Sequence, residues 1–156
     1  MKPKVYVETT IVSYLAALPS RDIVLAAHQE ITREWWGRRR RFELFVSQAV
    51  IDEAARGNVA AAARRLALLA GIPLLALGGE ADEFANRLLR GHVVPRKATV
   101  DALHIAVASV NRVNYLVTWN CRHIANAAIR GKIEQACRGA GLQTPIICTP
   151  EELLEA

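Results

Sequence analysis

The stretch Lys4-Val5-Tyr6-Val7-Glu8-Thr9-Thr10-Ile11, residues 4–11, carries the pattern that decides the fold. Three β-branched or aromatic residues form a short apolar run, which stops at an acidic residue followed by two threonines. A run this short, with no polar alternation, is typical of a strand buried on both faces in a parallel sheet. We therefore predict a strand over Lys4–Glu8 and a helix that begins near Ile11.

The same unit recurs along the chain, where short apolar runs alternate with longer Ala/Leu-rich stretches of helical spacing. The predicted strands are Lys4–Glu8, Phe42–Val46, Pro73–Leu77, Tyr115–Thr118 and Pro145–Cys148. The predicted helices are Ile11–Leu18, Asp22–Trp36, Gln48–Arg56, Val59–Ala70, Ala81–Arg90, Ala98–Asn111 and His123–Arg138. This alternation favours an α/β fold, a three-layer α/β/α sandwich with a mostly parallel five-stranded sheet.

Length and composition limit the class of protein. With 156 residues, of which 52% are hydrophobic and 22% charged, the chain is expected to form a single globular domain over 1–156. The longest weakly polar run, Leu66–Gly79, has 14 residues, too few to cross a bilayer. The amino terminus has no apolar signal region, so we expect a cytoplasmic protein in which the three cysteines are reduced core residues.

The charge balance points to an anionic partner. The chain has 20 basic and 15 acidic residues, a net charge of +5, and 16 of the basic residues are arginine. Arginine suits bidentate phosphate contacts. Arg38, Arg39, Arg40 and Arg41 follow two tryptophans, a mixture that could bind an RNA backbone and stack a base. Alternatively, the tryptophans close a helix against the core and the arginines offset its negative end.

Polar residues at strand ends are the first functional candidates. In open parallel sheets, ligands bind beyond the carboxyl ends of the strands. Glu8 ends the first predicted strand, and Asn120 follows the strand Tyr115–Thr118 after a single intervening residue. Both side chains are therefore expected at one edge of the sheet.

Two further acids are predicted to point inward from helices. Asp101 lies among apolar or small residues, and a buried carboxylate needs a cationic partner. The alternative is that Asp101 only favours the positive end of its helix dipole. Glu53 has alanine and valine on its helix face, whereas Asp52 has Gln48 and Arg56, so Glu53 is the functional candidate and Asp52 a surface residue.

Converging carboxylates repel one another unless they are protonated or bind a divalent cation. Oxygen ligands favour Mg²⁺ or Mn²⁺ over zinc. Such an ion polarises a phosphoryl oxygen and activates water for attack on a phosphodiester. The acids Glu8, Glu53 and Asp101 thus predict metal-assisted phosphate chemistry.

Several neighbours are expected to support this site. The hydroxyls of Thr9, Thr10 and Thr118 lie where they could orient a carboxylate, although threonine is also common at strand ends. His104 shares a helix face with Asp101 and is expected to orient that carboxylate or to meet a phosphate. The Ala-rich segment Val59–Ala70 is expected to be core or a dimer face.

The order and spacing of four segments resemble those of PIN-domain ribonucleases, especially the VapC-type toxins of toxin–antitoxin pairs. These segments are Val5–Val12, Ile51–Gly57, Asp101–Ala108 and Leu116–Ile124. The resemblance implies an acidic metal site at Glu8, Glu53, Asp101 and Asn120. It also implies a Mg²⁺- or Mn²⁺-dependent endoribonuclease, often dimeric, whose cognate antitoxin covers the active groove.

The chain departs from the family pattern at three positions. Glu8 and Asn120 stand where members usually or often have aspartate, and His123 falls where an aspartate often follows. These departures motivate an alternative, a catalytically weak or silent PIN-like module that binds RNA or an antitoxin protein. A metal phosphatase acting on small phosphates is a further alternative, although the chain lacks a Gly-rich phosphate loop.

Overall fold

Five strands form one sheet in which every neighbouring pair is parallel, as shown by a computed structural model that describes residues 1–156. The strands are β1 Lys4–Val7, β2 Glu43–Ser47, β3 Leu74–Leu75, β4 Tyr115–Val117 and β5 Ile146–Cys148. Their order in the sheet is β3-β2-β1-β4-β5. The predicted parallel sheet is confirmed and contains no antiparallel strand.

Seven α-helices connect and cover the strands. They are α1 Thr9–Ala16, α2 Ile23–Gly37, α3 Gln48–Ala54, α4 Val59–Leu69, α5 Gly79–Arg90, α6 Thr99–Val110 and α7 Ala127–Gly139. Short 3-10 turns lie at Arg39–Arg41 and Glu151–Leu153. Helix α1 packs against α2, α3 and α4, and α5 packs against α6 and α7. These two helix groups and the sheet give the expected three-layer α/β/α architecture.

The strand order places a topological switch point beside the central strand. From β1 the chain adds β2 and β3 on one side, and then crosses back to add β4 and β5 on the other. The order therefore reverses between β1 and β4, and in open α/β sheets ligands bind at such a switch point. Val5, Tyr6 and Val7 of β1 are fully buried, so the strand that ends at this switch point is anchored in the core.

Two helix starts differ from the prediction because polar side chains cap them. Helix α1 begins at Thr9 instead of Ile11, since the Glu8 carboxylate accepts the backbone N–H of Thr10. Helix α7 begins at Ala127 instead of His123, since Asn126 caps it by accepting the N–H of Ala128. Side-chain capping of this kind fixes where a helix can start.

Two other expectations need correction. Strand β3 is only Leu74–Leu75, shorter than the predicted Pro73–Leu77, because it lies at the sheet edge and pairs with β2 alone. Cys137 and Cys148 are buried thiols as expected, but Cys121 is exposed in the turn after β4. None of the helices is both long and apolar enough to traverse a lipid bilayer.

Leu116→Ala should lower the free energy of unfolding by about 2–5 kcal/mol, because this β4 side chain is fully buried in the core. Leu74→Ala is the matched control, since Leu74 lies on the edge strand with 54% of its surface exposed. Urea denaturation of both variants measures the difference. Equal losses in the two variants would contradict the described core.

Candidate metal centre at the carboxyl edge of the sheet

Glu8 occupies the switch point itself. It follows β1 directly, and its backbone N–H donates to the carbonyl of Val117, the last residue of β4. The residue is only 3% exposed, so its carboxylate is removed from bulk water. Burial of this kind is costly unless other groups stabilise the charge.

One oxygen of Glu8 receives all of its hydrogen bonds. Oε1 accepts the backbone N–H of Thr10 at 3.2 Å, the Thr10 hydroxyl at 2.5 Å and the Thr118 hydroxyl at 2.6 Å. No protein donor contacts Oε2. The carboxylate is therefore held firmly through one oxygen, and the other oxygen is left as a free acceptor.

The two hydroxyls that hold Glu8 are themselves fixed. The N–H of Trp119 donates to the Thr10 hydroxyl oxygen at 2.8 Å, and the N–H of Asn120 donates to the Thr118 hydroxyl oxygen at 2.9 Å. Each threonine oxygen thus accepts from the loop after β4 and directs its own hydrogen at Glu8. This loop consequently positions the carboxylate from behind.

Glu53, on α3, repeats the arrangement. Its Oε1 accepts the Thr9 hydroxyl at 2.6 Å and lies 2.6 Å from Nε2 of His104, which reaches it from α6. Its Oε2 has no protein donor either. As predicted from helical spacing, Glu53 is partly buried, whereas Asp52 is exposed and accepts a hydrogen bond from Gln48.

A buried chain of hydrogen bonds continues behind His104. Its Nδ1 lies 2.7 Å from the hydroxyl of Tyr6, which lies 2.7 Å from the hydroxyl of Ser47 at the end of β2. All three residues are fully buried. Burial also raises the pKa of Tyr6 above its usual range, so this hydroxyl stays protonated at neutral pH. The chain fixes the ring that faces Glu53.

The two glutamates have opposite pKa shifts. Burial raises the pKa of Glu8, and this effect outweighs the nearby His104 and the threonine donors. Burial also acts to raise the pKa of Glu53, but the hydrogen bond and charge of His104, the Thr9 hydroxyl and Arg56 lower it below its usual value. In the absence of an ion, Glu8 is therefore the carboxylate that binds a proton more readily.

Glu8, Glu53 and His104 together fit a divalent cation. Each offers one ligand atom, and these atoms lie within 4.8 Å of one another. The two carboxylates are anchored through Oε1, which leaves both Oε2 atoms for an ion. A cation among them would also offset the desolvation of Glu8, which no neighbouring lysine or arginine contacts.

Asp101 lies outside this close cluster and forms a second group at the same edge. Its Oδ1 accepts the side-chain amide of Asn120 at 3.1 Å, and its Oδ2 lies 3.0 Å from Nδ1 of His123. The expected hydrogen bond from His104 to Asp101 is absent, because His104 turns to Glu53 instead. The imidazole that meets Asp101 is that of His123.

Asn120 links the two groups. Its backbone N–H donates to the hydroxyl that holds Glu8, and its side-chain amide donates to Asp101. Its Oδ1 accepts the backbone N–H groups of Arg122 and His123. In this structure Asn120 therefore orients Asp101 and the loop, and its carbonyl oxygen is already occupied.

The four arginines, Arg38 to Arg41, lie at the amino ends of the strands, opposite the acids. The turn Arg39–Arg41 precedes β2, whose first residue pairs with Lys4 at the start of β1. At about 3.3 Å per residue, the length of β2 separates this turn from the acids by roughly 13 Å. Arg40 is exposed and has no side-chain contact, whereas Arg38 and Arg41 bind the carbonyl of Leu154.

The tryptophans beside this turn are structural. Trp35 is fully buried, so it cannot stack a base, and Trp36 is partly buried beneath the guanidinium of Arg39. The RNA-binding role of Arg38, Arg39, Arg40 and Arg41 stays a prediction.

The sequence reasoning missed Tyr6 and Ser47, and it did not connect His123 with Asp101. Tyr6 stands two residues before Glu8, so the alternation of a strand directs both side chains to one face. That signal was present in the sequence. Ser47 ends β2, one strand away from Glu8, but its partner becomes evident only from the strand order.

Neither a scan of the chain against protein-family models nor a search of curated proteins finds a match.

Replacing Glu8 and Glu53 by glutamine should change stability in opposite directions in chelator-treated protein at pH 7. Glu8→Gln should stabilise by about 1–3 kcal/mol, since it removes a desolvated charge and keeps the Oε1 acceptor. Glu53→Gln should destabilise by about 1–2 kcal/mol, since it removes a carboxylate that hydrogen bonds favour.

The pH dependence checks the sign of each effect. The raised pKa of Glu8 means that wild type loses stability as pH rises above 4.5, so the advantage of Glu8→Gln should vanish at lower pH. The lowered pKa of Glu53 means that its contribution is lost as pH falls below 4.5. Urea denaturation across pH 3–8 measures both, and a parallel response of the two variants would refute the assignment.

Proposed function

We propose that this protein is a metal-dependent endoribonuclease of the PIN-domain kind, the toxin of a type II toxin–antitoxin pair. The observation that carries the proposal is the pair of neighbouring carboxylates, Glu8 and Glu53, each of which leaves one oxygen without a protein donor. The cofactor in this proposal is Mg²⁺ or Mn²⁺. The α/β/α architecture and the order of the acidic motifs support the same reading.

When bound, such an ion polarises a phosphoryl oxygen and activates a water molecule for in-line hydrolysis of an RNA phosphodiester. Glu8 and Glu53 would hold it through their free oxygens. Thr9, Thr10 and Thr118 keep these carboxylates in place by donating hydroxyl hydrogens to Oε1. Because the donors all bind Oε1, the Oε2 atom of each carboxylate stays available to an ion.

Asp101 and His123 would act at the same edge of the sheet. Asp101 fixes the imidazole through Nδ1, and no protein group contacts its Nε2. Both side chains are about one-fifth exposed, so they can meet a substrate. Nε2 would then be the ring nitrogen of His123 that faces the RNA.

Protein partners belong to the proposal as well. Leu18, Ile23 and Val24 are large apolar side chains that are mostly exposed near the start of α2. Exposed apolar residues grouped in this way are typical of contact surfaces. We propose that a cognate antitoxin or a second copy of the chain covers them.

Cleavage of a mixed RNA panel with Mg²⁺ or Mn²⁺ tests the enzyme. Glu53→Gln should reduce the cleavage rate by about a hundredfold or more, because a metal ligand contributes several kcal/mol to the transition state. Asp52→Asn is the matched control, since this neighbouring acid is exposed and outside the site. Its rate should stay within about twofold of wild type. Equal activity in wild type and Glu53→Gln would show that the cleavage does not use this centre.

A binding module without catalysis is the second candidate, and one observation favours it. Asp101 lies outside the close cluster, and both of its oxygens already accept or face a protein group. If wild type binds RNA but cleaves none of the panel with either ion, this second function replaces the first.

The basic turn provides a separate test. Arg40→Gln should weaken RNA binding and reduce the slope of log affinity against log salt by about one, because one phosphate contact would be lost. The cleavage rate at saturating RNA should not change, since the turn lies at the opposite edge from the acids. Fluorescence anisotropy between 50 and 200 mM salt measures the slope, and an unaltered slope would remove Arg40 from the RNA-binding surface.

A further inference from the structure

The position of His104 suits it to bind an ion as well as to hold Glu53. The residue is fully buried, and one of its ring nitrogens belongs to the set of three ligand atoms that lie within 4.8 Å of one another. That nitrogen is Nε2, which already lies 2.6 Å from Glu53. Nε2 therefore lies beside the carboxylate of Glu53 and close to that of Glu8.

The other ring nitrogen has the environment of a metal-binding histidine. Histidine ligands almost always donate their second ring N–H to a fixed acceptor, which sets the tautomer and the ring orientation. Nδ1 of His104 has the Tyr6 hydroxyl at 2.7 Å, and Ser47 fixes that hydroxyl in turn. The two residues that fix Nδ1 lie in the sheet itself, Tyr6 in the central strand β1 and Ser47 at the end of β2.

The donors and acceptors in the buried hydrogen-bond chain from Glu53 through His104 and Tyr6 to Ser47 can be arranged in two ways. In one tautomer of the imidazole, Nε2–H donates to Glu53, Nδ1 accepts from the Tyr6 hydroxyl, and the Tyr6 oxygen accepts from Ser47. In the other tautomer, Nδ1–H donates a hydrogen bond to the Tyr6 oxygen, and the Tyr6 hydroxyl donates to Ser47. The lone pair of Nε2 then becomes free, the imidazole stays neutral, and Glu53 keeps its bond from Thr9.

A second feature of the cluster is a carboxylate oxygen that no protein group contacts. Glu8 is only 3% exposed, yet no protein donor reaches its Oε2. An oxygen of this kind, inside a carboxylate whose other oxygen has three donors, is matched by a cation. This observation is independent of the His104 geometry, and a ligand atom of Glu8 lies within 4.8 Å of those of Glu53 and His104.

We propose that Nε2 of His104 is a direct ligand of the ion, together with Glu8 and Glu53, and that the site therefore takes Mn²⁺ in preference to Mg²⁺. The proposal rests on the proposed function for the presence of an ion. Carboxylate and water ligands suit Mg²⁺, whereas imidazole favours first-row transition ions. One nitrogen in the ligand set thus discriminates between the two.

The competing role is that His104 only positions Glu53, and His104→Gln separates the two. A glutamine amide can still donate a hydrogen bond to Glu53 but offers no nitrogen ligand. His92→Asn is the matched control, because His92 is exposed, lies outside the site and has a φ of 53°, which asparagine tolerates. Tyr6→Phe removes the acceptor behind Nδ1.

Calorimetric titration of the chelator-treated chain with Mn²⁺ and with Mg²⁺ gives both affinities. We expect His104→Gln to weaken Mn²⁺ binding by about tenfold or more while Mg²⁺ binding changes by less than about threefold. Tyr6→Phe should weaken Mn²⁺ binding by about tenfold, and His92→Asn should leave both affinities unchanged. Pulsed electron paramagnetic resonance of Mn²⁺-loaded wild type should show a directly coupled ¹⁴N nucleus, a readout that needs no variant to fold.

Bound Mn²⁺ without nitrogen coupling, or an unchanged Mn²⁺ to Mg²⁺ affinity ratio in His104→Gln, would overturn the proposal. The RNA assay distinguishes this failure from that of the proposed function. Cleavage of RNA by a protein whose Mn²⁺ has only oxygen ligands leaves the nuclease standing and removes His104 from the ligand set. Nitrogen-coupled Mn²⁺ in a protein that cleaves no RNA leaves the metal site standing and removes the nuclease.

Discussion

The burial of the Glu8 carboxylate is the constraint on which the edge of the sheet depends. A charge that is 3% exposed at the end of the central strand needs donors, and the chain supplies three of them to a single oxygen. Two of these donors are hydroxyls that the loop after β4 holds from behind. Strands β1 and β4 are therefore joined by the hydrogen bonds of the Glu8 carboxylate as well as by their backbone pairing.

This constraint divides the polar residues of the edge into an inner and an outer group. In the inner group, Glu8, Glu53 and His104, hydroxyl groups hold the two carboxylates and leave one oxygen of each without a protein donor. The outer group, Asp101, Asn120 and His123, is partly exposed and is satisfied by its own members. Asn120 joins the two, since its backbone holds Thr118 and its side chain holds Asp101. The proposed chemistry uses the inner group for the ion and the outer group for substrate.

The charge distribution separates the arginine-rich turn Arg39–Arg41 from the acidic residues. Acids collect at the carboxyl edge, while the exposed Arg40 and its neighbours lie at the amino edge, where Leu154 and Trp36 hold three of the four guanidinium groups. No arginine side chain bonds to Glu8 or Glu53, and burial keeps the pKa of Glu8 raised. That arrangement leaves the centre receptive to a cation instead of neutralised by the protein.

By itself the sequence determined the helices and strands, and it determined which of two neighbouring acids, Asp52 and Glu53, faces solvent. Short apolar runs and helical spacing sufficed for five strands, seven helices and a parallel sheet, because those signals are local. The same local geometry separated the partly buried Glu53 from the exposed Asp52. Capping was harder to predict, since Glu8 and Asn126 shift the helix starts through side-chain hydrogen bonds that composition does not reveal.

Only the tertiary structure decided which histidine meets which acid. His104 is 98 residues from Tyr6 and 51 from Glu53, and His123 is 22 from Asp101. Helical spacing placed His104 on the face of Asp101, yet the crossover that lays β1 between β2 and β4 turns it towards Glu53. Contacts of this range depend on strand order and on the packing of α3 against α6, and neither is encoded in the local pattern of residues.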